Sequence, residues 1–121
     1  MSTITRRALE RTLHTEQREV RVQRELHRAV VAKLIDDPMA VRTGAQRNLS
    51  SSRDQVRGSQ ARGWLDHWQT LIDGPTLALV DALLADSDNA LDLQQVSPFA
   101  GALSEGERLA AIERATGHAP R

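Results

Sequence analysis

The first third of the chain repeats apolar residues at spacings of three, four and seven positions. Winding residues 4–36 as a helix, at about 100° per residue, gathers these side chains into a stripe about 100° wide. The stripe consists of Leu9, Leu13, Val20, Val30, Val31 and Leu34. His27 falls at its centre, where a hydrogen-bonded core histidine is a more common role than a metal ligand or a base. The pattern predicts a long amphipathic N-terminal helix.

The opposite face of this helix is mainly basic. Guanidinium groups bind phosphates or carboxylates bidentately, so the face could serve a nucleic acid or an acidic protein surface. The pattern is equally compatible with a basic face that is exposed to solvent and binds no partner. The face carries Arg7, Arg11, Arg18, Arg21 and Arg28 with His14 and Glu25, and Glu10 and Glu19 lie on its flanks.

A second helix is expected to follow after a short break. Asp37 suits its N-cap and Pro38 its first position. Gly44 and the serines at 50–52 lower helix propensity, so we expect a bend or fraying within it. Its narrow apolar seam is Val41, Ala45, Leu49 and Val56.

Two further helices are expected to pair as a hairpin. Ser59 is the expected N-cap of the first, and the Gly74-Pro75 pair ends it and opens the next. Trp64 and Trp68 share one face of the first, where they could form a binding hot spot, although core packing is the commoner role in a chain with three aromatic residues. The apolar positions of the pair are Ala61, Trp64, Leu65, Trp68, Leu71, Ile72, Leu77, Val80, Leu83 and Leu84.

The C-terminal third is expected to form short helices. Residues 90–103 are interpreted as a short helix and an irregular segment, whose Phe99 should dock on the tryptophan face. Ser104 and Glu107 form a capping box for a last helix. The fold class is therefore all-α: a long N-terminal amphipathic helix, a helical hairpin and short C-terminal helices. We expect one domain over residues 1–121, with 1–25 as a protruding helical extension and 115–121 as a flexible tail.

The composition indicates the cellular compartment of this domain and the distribution of its charge. The chain has no cysteine, no apolar signal segment and no stretch approaching a membrane span, so we expect a soluble cytoplasmic protein. Its net charge of zero hides an asymmetry, since residues 1–62 sum to +6 and residues 63–121 to −6. The acidic half could therefore neutralise the basic face within the same molecule.

No catalytic, metal or cofactor site is predicted. Residues 58–63 resemble the Gly-Ser loop of nucleotidyltransferases, but the required Asp-x-Asp pair is missing a dozen residues later. Trp64 also stands where a phosphate-binding P-loop needs lysine. The four histidines are too scattered in sequence to indicate a zinc site. We expect a protein that is not an enzyme.

From residue 26 onward, a series of short motifs resembles small actinobacterial antitoxins whose toxins are AbiEii-like (Men-type) nucleotidyltransferases. The similarity covers about two-thirds of the chain and leaves out residues 1–25. It is carried by Leu26-His27-Arg28-Ala29-Val30 with Leu34, Asp37-Pro38, Trp64-Leu65 with Trp68, Gly74-Pro75, Ser97-Pro98-Phe99-Ala100-Gly101 with Leu103, and Glu107-Arg108.

The resemblance implies a non-enzymatic protein that caps a cognate toxin, blocks its nucleotide or tRNA site, and helps to regulate its own operon. The alternatives are a nucleic-acid-binding module that uses the basic face, and a free-standing homo-oligomer. The expected partner-binding residues are Arg7, Arg11, Arg18, Arg21, Arg28, Trp64 and Trp68.

Overall fold

The computed structural model describes residues 5–117, except for the side chains of residues 11–16. Arg11, His14 and the tail from residue 118 therefore lie outside the described residues. Within the described range the chain is all-helical, with six helices and no strand, which confirms that the class is all-α. The helices are α1 (Arg6–Asp36), α2 (Pro38–Gln55), α3 (Ser59–Asp73), α4 (Thr76–Leu84), α5 (Asp88–Gln95) and α6 (Glu105–Thr116).

One residue ends α1 and begins α2. The backbone N–H of Asp37 donates to the Lys33 carbonyl at 2.7 Å, and its carboxylate accepts a hydrogen bond from the Ala40 N–H at 3.3 Å. Pro38 then occupies the first position of α2, where no backbone N–H is needed. The predicted break between the two helices is confirmed.

Helix α2 runs without interruption to Gln55, so the expected fraying within it is wrong. The side chains of Val41, Ala45 and Leu49 are all buried on one side of it. Tertiary packing of an apolar seam contributes more to helix stability than intrinsic propensity does. The packing of these three side chains thus outweighs the unfavourable glycine and serines.

The termini of α3 and α6 show how local sequence sets helix ends. Gly58, with a φ of +111°, is the N-cap of α3 and makes no side-chain cap bond, so the prediction that Ser59 is the cap is wrong. The predicted capping box of α6 is confirmed. The Glu107 N–H donates to Ser104 Oγ at 3.1 Å, and the Ser104 N–H donates to Glu107 Oε1 at 2.8 Å.

The core lies between α1 and the layer formed by α2, α3 and α4, while α6 packs on a second side of α1. Trp68 sits in it with no exposed surface, and its indole N–H donates to the Leu93 carbonyl at 2.9 Å. Phe99 meets the Trp68 ring edge-on, with 5.5 Å between ring centroids. The predicted docking of Phe99 is confirmed.

Buried glutamine contacts hold α5 in place. The Gln94 side-chain amide donates to the carbonyls of Ala82 and Ala85 at 2.9 and 2.8 Å, at the end of α4. Gln23 of α1 donates in turn to the Gln94 carbonyl at 2.9 Å. These bonds tie α1, α4 and α5 together at one point.

In the described part of the chain, no helix combines the length and apolar character needed to cross a bilayer.

Candidate partner-binding surface

Two described apolar positions in the N-terminal half of α1, Leu9 and Val20, are not covered by the rest of the protein. Leu9 and Val20 belong to the same stripe as the core residues Val30 and Leu34, yet they are 49% and 39% exposed. Every described side chain from Gln17 to Arg21 is exposed. Apolar side chains left uncovered along a regular stripe are typical of a surface that another molecule covers.

Four arginines on this helix are exposed and have no ion-pair partner among the described residues. At about 100° per residue, the positions of these four arginines fall within an arc of about 120° around the helix axis. We call this set the arginine face; it consists of Arg7, Arg18, Arg21 and Arg24. Arg24 was missed by the sequence analysis because it lies between the apolar stripe and the predicted basic stripe.

Arg28 belongs to a different environment from the other predicted arginines. Its guanidinium lies 2.7 Å from one carboxylate oxygen of Glu25, and the other oxygen of Glu25 accepts a bond from Arg114 Nε at 3.3 Å. Glu25 is the most covered member of the three, with 18% of its side chain exposed. Arg28 is therefore neutralised within the protein and contributes less to the arginine face than the sequence pattern indicated.

The acidic C-terminal half leaves the arginine face unpaired within the described residues. A carboxylate of this half pairs instead with Lys33 of α1, whose Nζ lies 2.6 Å from Glu107 Oε1. The hydrogen bond from Lys33, helped by those from Ser104, lowers the pKa of Glu107 to about 2. Neutralisation inside the molecule thus acts at the C-terminal end of α1, away from Arg7, Arg18 and Arg21.

A groove runs beside the arginine face, between α1 and the end of α4. It has a volume of about 510 Å³ and is bordered by Val20 and Arg24 on one side and by Leu84 and Leu91 on the other. Leu84 is 47% exposed. The basic surface is therefore continuous with an apolar depression, a combination suited to a protein partner with an apolar core and an acidic rim.

The two predicted tryptophans occupy different positions. Trp64 is half-buried and packs against the edge of the core, so part of its ring remains at the surface. Trp68 is fully buried and offers a partner no surface. Of the predicted contact residues on α3, only Trp64 presents area to a partner.

Within the described residues, no group of three or more His, Cys, Asp and Glu side chains is placed to hold a metal ion. His67 is exposed on α3, and His27 is buried in α1. The arrangement offers cationic and apolar contacts for binding. Comparison with models of known protein families finds no match, and comparison with curated proteins and with solved structures finds no significant similarity.

Proposed function

We propose that this chain is an antitoxin-like protein, acting in the cytoplasm, that binds a nucleotidyltransferase-type toxin and occludes its active site. The observation that carries the proposal is the N-terminal half of α1. There the exposed apolar residues Leu9 and Val20 and the arginine face, unpaired among the described residues, lie on one helix, in a protein whose other half is acidic.

The geometry supplies enough surface for such a complex. Residues 6–21 span about 24 Å at the usual rise of about 1.5 Å per residue. The groove beside Leu84 extends this surface onto α4. A standard interface needs about 800 Å² from each partner, from about 20 to 30 residues.

The chemistry of the proposed target explains why arginines would be useful. Nucleotidyl transfer depends on paired carboxylates that hold metal ions. Arg18 or Arg21 can pair with such carboxylates bidentately, which would block metal and nucleotide together. The interface would gain specificity and association rate from this charge complementarity.

The test is neutralisation in cells. The first candidate toxin is the product of the neighbouring reading frame, expressed alone and together with this chain. We expect growth arrest from the toxin alone, and restored growth and a co-purifying complex from the pair. A neighbour that is not a nucleotidyltransferase, or a toxin that is neither bound nor neutralised, would contradict the proposal.

A matched pair of variants tests the arginine face itself. Arg18→Glu with Arg21→Glu should weaken the complex at least tenfold, which corresponds to about 1.4 kcal/mol, while helix content stays unchanged. Arg47→Glu with Arg57→Glu makes the same charge change at exposed positions without ion pairs among the described residues. This control should leave affinity nearly unchanged, and equal losses in both variants would exclude a specific role for the face.

The same unpaired arginines support one other candidate, a nucleic-acid-binding module. Glu10 and Glu19 lie beside them, and the net charge of zero weakens general attraction to phosphate. Binding to tRNA or operator DNA would lose affinity steeply with salt, with a slope of about −0.9 per phosphate contact on duplex DNA. A toxin complex that persists as salt rises, without measurable tRNA or DNA binding, favours the antitoxin function.

A further inference from the structure

The outer face of α4 is apolar, and the described residues leave it exposed. The inner face of this helix carries Leu79 and Leu83, which are buried in the core. Leu77 and Leu84 lie two turns apart on the outer face and are 78% and 47% exposed. A helix that is apolar all round is normally buried on every side. The outer face of α4 therefore has the character of an interface.

Two aspartates give this surface a negative charge. Asp81 lies one turn before Leu84 on α4. Asp88 lies one turn before Leu91 on α5. Leu84 and Leu91 border the groove of about 510 Å³, and we call Asp81 and Asp88 the aspartate wall of that groove. Both aspartates are exposed and have no ion-pair partner among the described residues, so their charge is available to another molecule.

The α1 wall of the same groove carries the opposite charge. Val20 and Arg24 border the groove, and Arg21 lies one turn before Arg24. Glu19 also borders the groove, but it lies on the other flank of the apolar stripe. Within the described residues, neither Arg21 nor Arg24 reaches a carboxylate across the groove. Unpaired charges of opposite sign thus flank an apolar depression.

A second copy of this chain matches such a surface. Rotation by 180° about an axis that runs along the groove exchanges its two walls, so the arginines of each copy face the aspartates of the other. This isologous arrangement makes every contact twice and covers Val20, Leu84 and Leu91 of both copies. Rotation about an axis across the groove would oppose like charges, which is unfavourable. The charges therefore select one relative orientation.

We propose that this chain forms a two-fold dimer in which Arg21 and Arg24 of each copy contact Asp81 and Asp88 of the other. The dimer covers the groove that the proposed toxin complex uses, so a second copy and the toxin exclude each other. Only this competition rests on the proposed function. A monomeric chain that neutralises its toxin contradicts the dimer alone, and a dimer that binds no toxin contradicts the proposed function alone.

Sedimentation equilibrium of the full chain, without any partner, tests the dimer. We expect the mass to rise with concentration from 13.4 kDa toward twice that value. Raising the ionic strength from about 0.1 M to about 1 M shortens the Debye length from about 10 Å to about 3 Å, so the dimer should weaken at least about threefold. A mass that stays at 13.4 kDa up to about 100 μM overturns the proposal.

Charge reversal identifies the contacts. Arg21→Glu with Arg24→Glu makes both walls acidic, and Asp81→Arg with Asp88→Arg makes both walls basic. Each variant alone should dimerise at least about tenfold more weakly, because like charges then face each other at both copies of the contact. An equimolar mixture of the two variants should form a heterodimer, since every contact is again between opposite charges. A mixture that stays monomeric contradicts the proposed pairing.

Arg47→Glu with Arg57→Glu is the matched control and should dimerise like the unmodified chain. Circular dichroism must show unchanged helix content in every variant. Asp88 lies in the first turn of α5, where a positive charge opposes the helix dipole, so Asp81→Arg alone replaces the basic variant if helix content falls. Equal weakening in the control, or a dimer that neither reversal weakens, overturns the proposal.

Discussion

The C-terminal and N-terminal halves of α1 carry the same apolar periodicity but have different surroundings. Val30 and Leu34 are buried between α1 and the helices packed on it, whereas Leu9 and Val20 remain largely exposed. The two halves also differ in charge pairing, because Lys33 and Arg28 have acidic partners and Arg18 and Arg21 have none among the described residues. A continuous helix thus combines a half that stabilises the fold with a half whose groups are available for binding.

The largest expected effect comes from removing the side chain on which the core depends. Trp68→Ala should destabilise the protein by about 3–5 kcal/mol, because it leaves a cavity beside Phe99 and removes the bond to the Leu93 carbonyl. Trp64→Ala, at a half-buried position of the same helix, is the control and should cost less. Urea denaturation followed by circular dichroism measures both, and similar losses would show that the core is not centred on Trp68.

The difference between the halves of α1 can be tested with one substitution at two sites. Leu34→Ala should cost about 2–5 kcal/mol, since the side chain is fully buried. Leu9→Ala should change the free energy of unfolding by no more than about 0.5 kcal/mol in the isolated chain. If Leu9→Ala is as destabilising as Leu34→Ala, the N-terminal half is packed in solution and is not a free surface.

Stability should decrease as pH falls below the usual histidine pKa of 6.5. Burial lowers the pKa of His27 in the folded state, so the unfolded chain binds the proton first. The stability that depends on neutral His27 is complete above pH 6.5 and is lost as pH falls toward the lowered pKa. His27→Leu should flatten this part of the pH profile and His67→Leu should not; an unchanged profile in His27→Leu would assign the effect to other groups.

A smaller effect is expected at the Lys33–Glu107 ion pair, one of the two that join α1 and α6. Lys33→Met should raise the pKa of Glu107 from about 2 toward its usual 4.5, but not fully, because the Ser104 bonds remain. The stability linked to this carboxylate is present above pH 4.5 and is lost as pH falls toward 2. NMR titration measures the shift, with Arg114→Met as a control that should leave Glu107 unchanged.

Local features of the fold follow closely from the sequence. The apolar periodicity of α1, the Asp37-Pro38 break and the Ser104–Glu107 capping box depend on neighbouring residues, and each was predicted. The unbroken course of α2 was not predicted, because burial of Ala45 and Leu49 is a tertiary effect that overrides glycine and serine propensities. The Gly58 cap was missed because serine is the usual capping residue.

The candidate site could be predicted only in part. The pattern placed the arginines on one face of α1, but α6 packs beside that face through Glu25 and Arg114, which are 89 positions apart in sequence. No local pattern indicates this distant pairing. Arg28 leaves the free set through its own contact with Glu25, three positions away, which the interpretation of the sequence did not take into account, and Arg24 joins the set.

Hydrogen–deuterium exchange of α1, in the free chain and in its complex with the toxin, tests the central claim most directly. We expect rapid exchange over residues 6–17 in the free chain, slow exchange over residues 27–34, and strong new protection of residues 6–21 in the complex. New protection confined to α2 and α3, or no change along α1 in a complex that forms, would contradict the assignment of its N-terminal half as the binding surface.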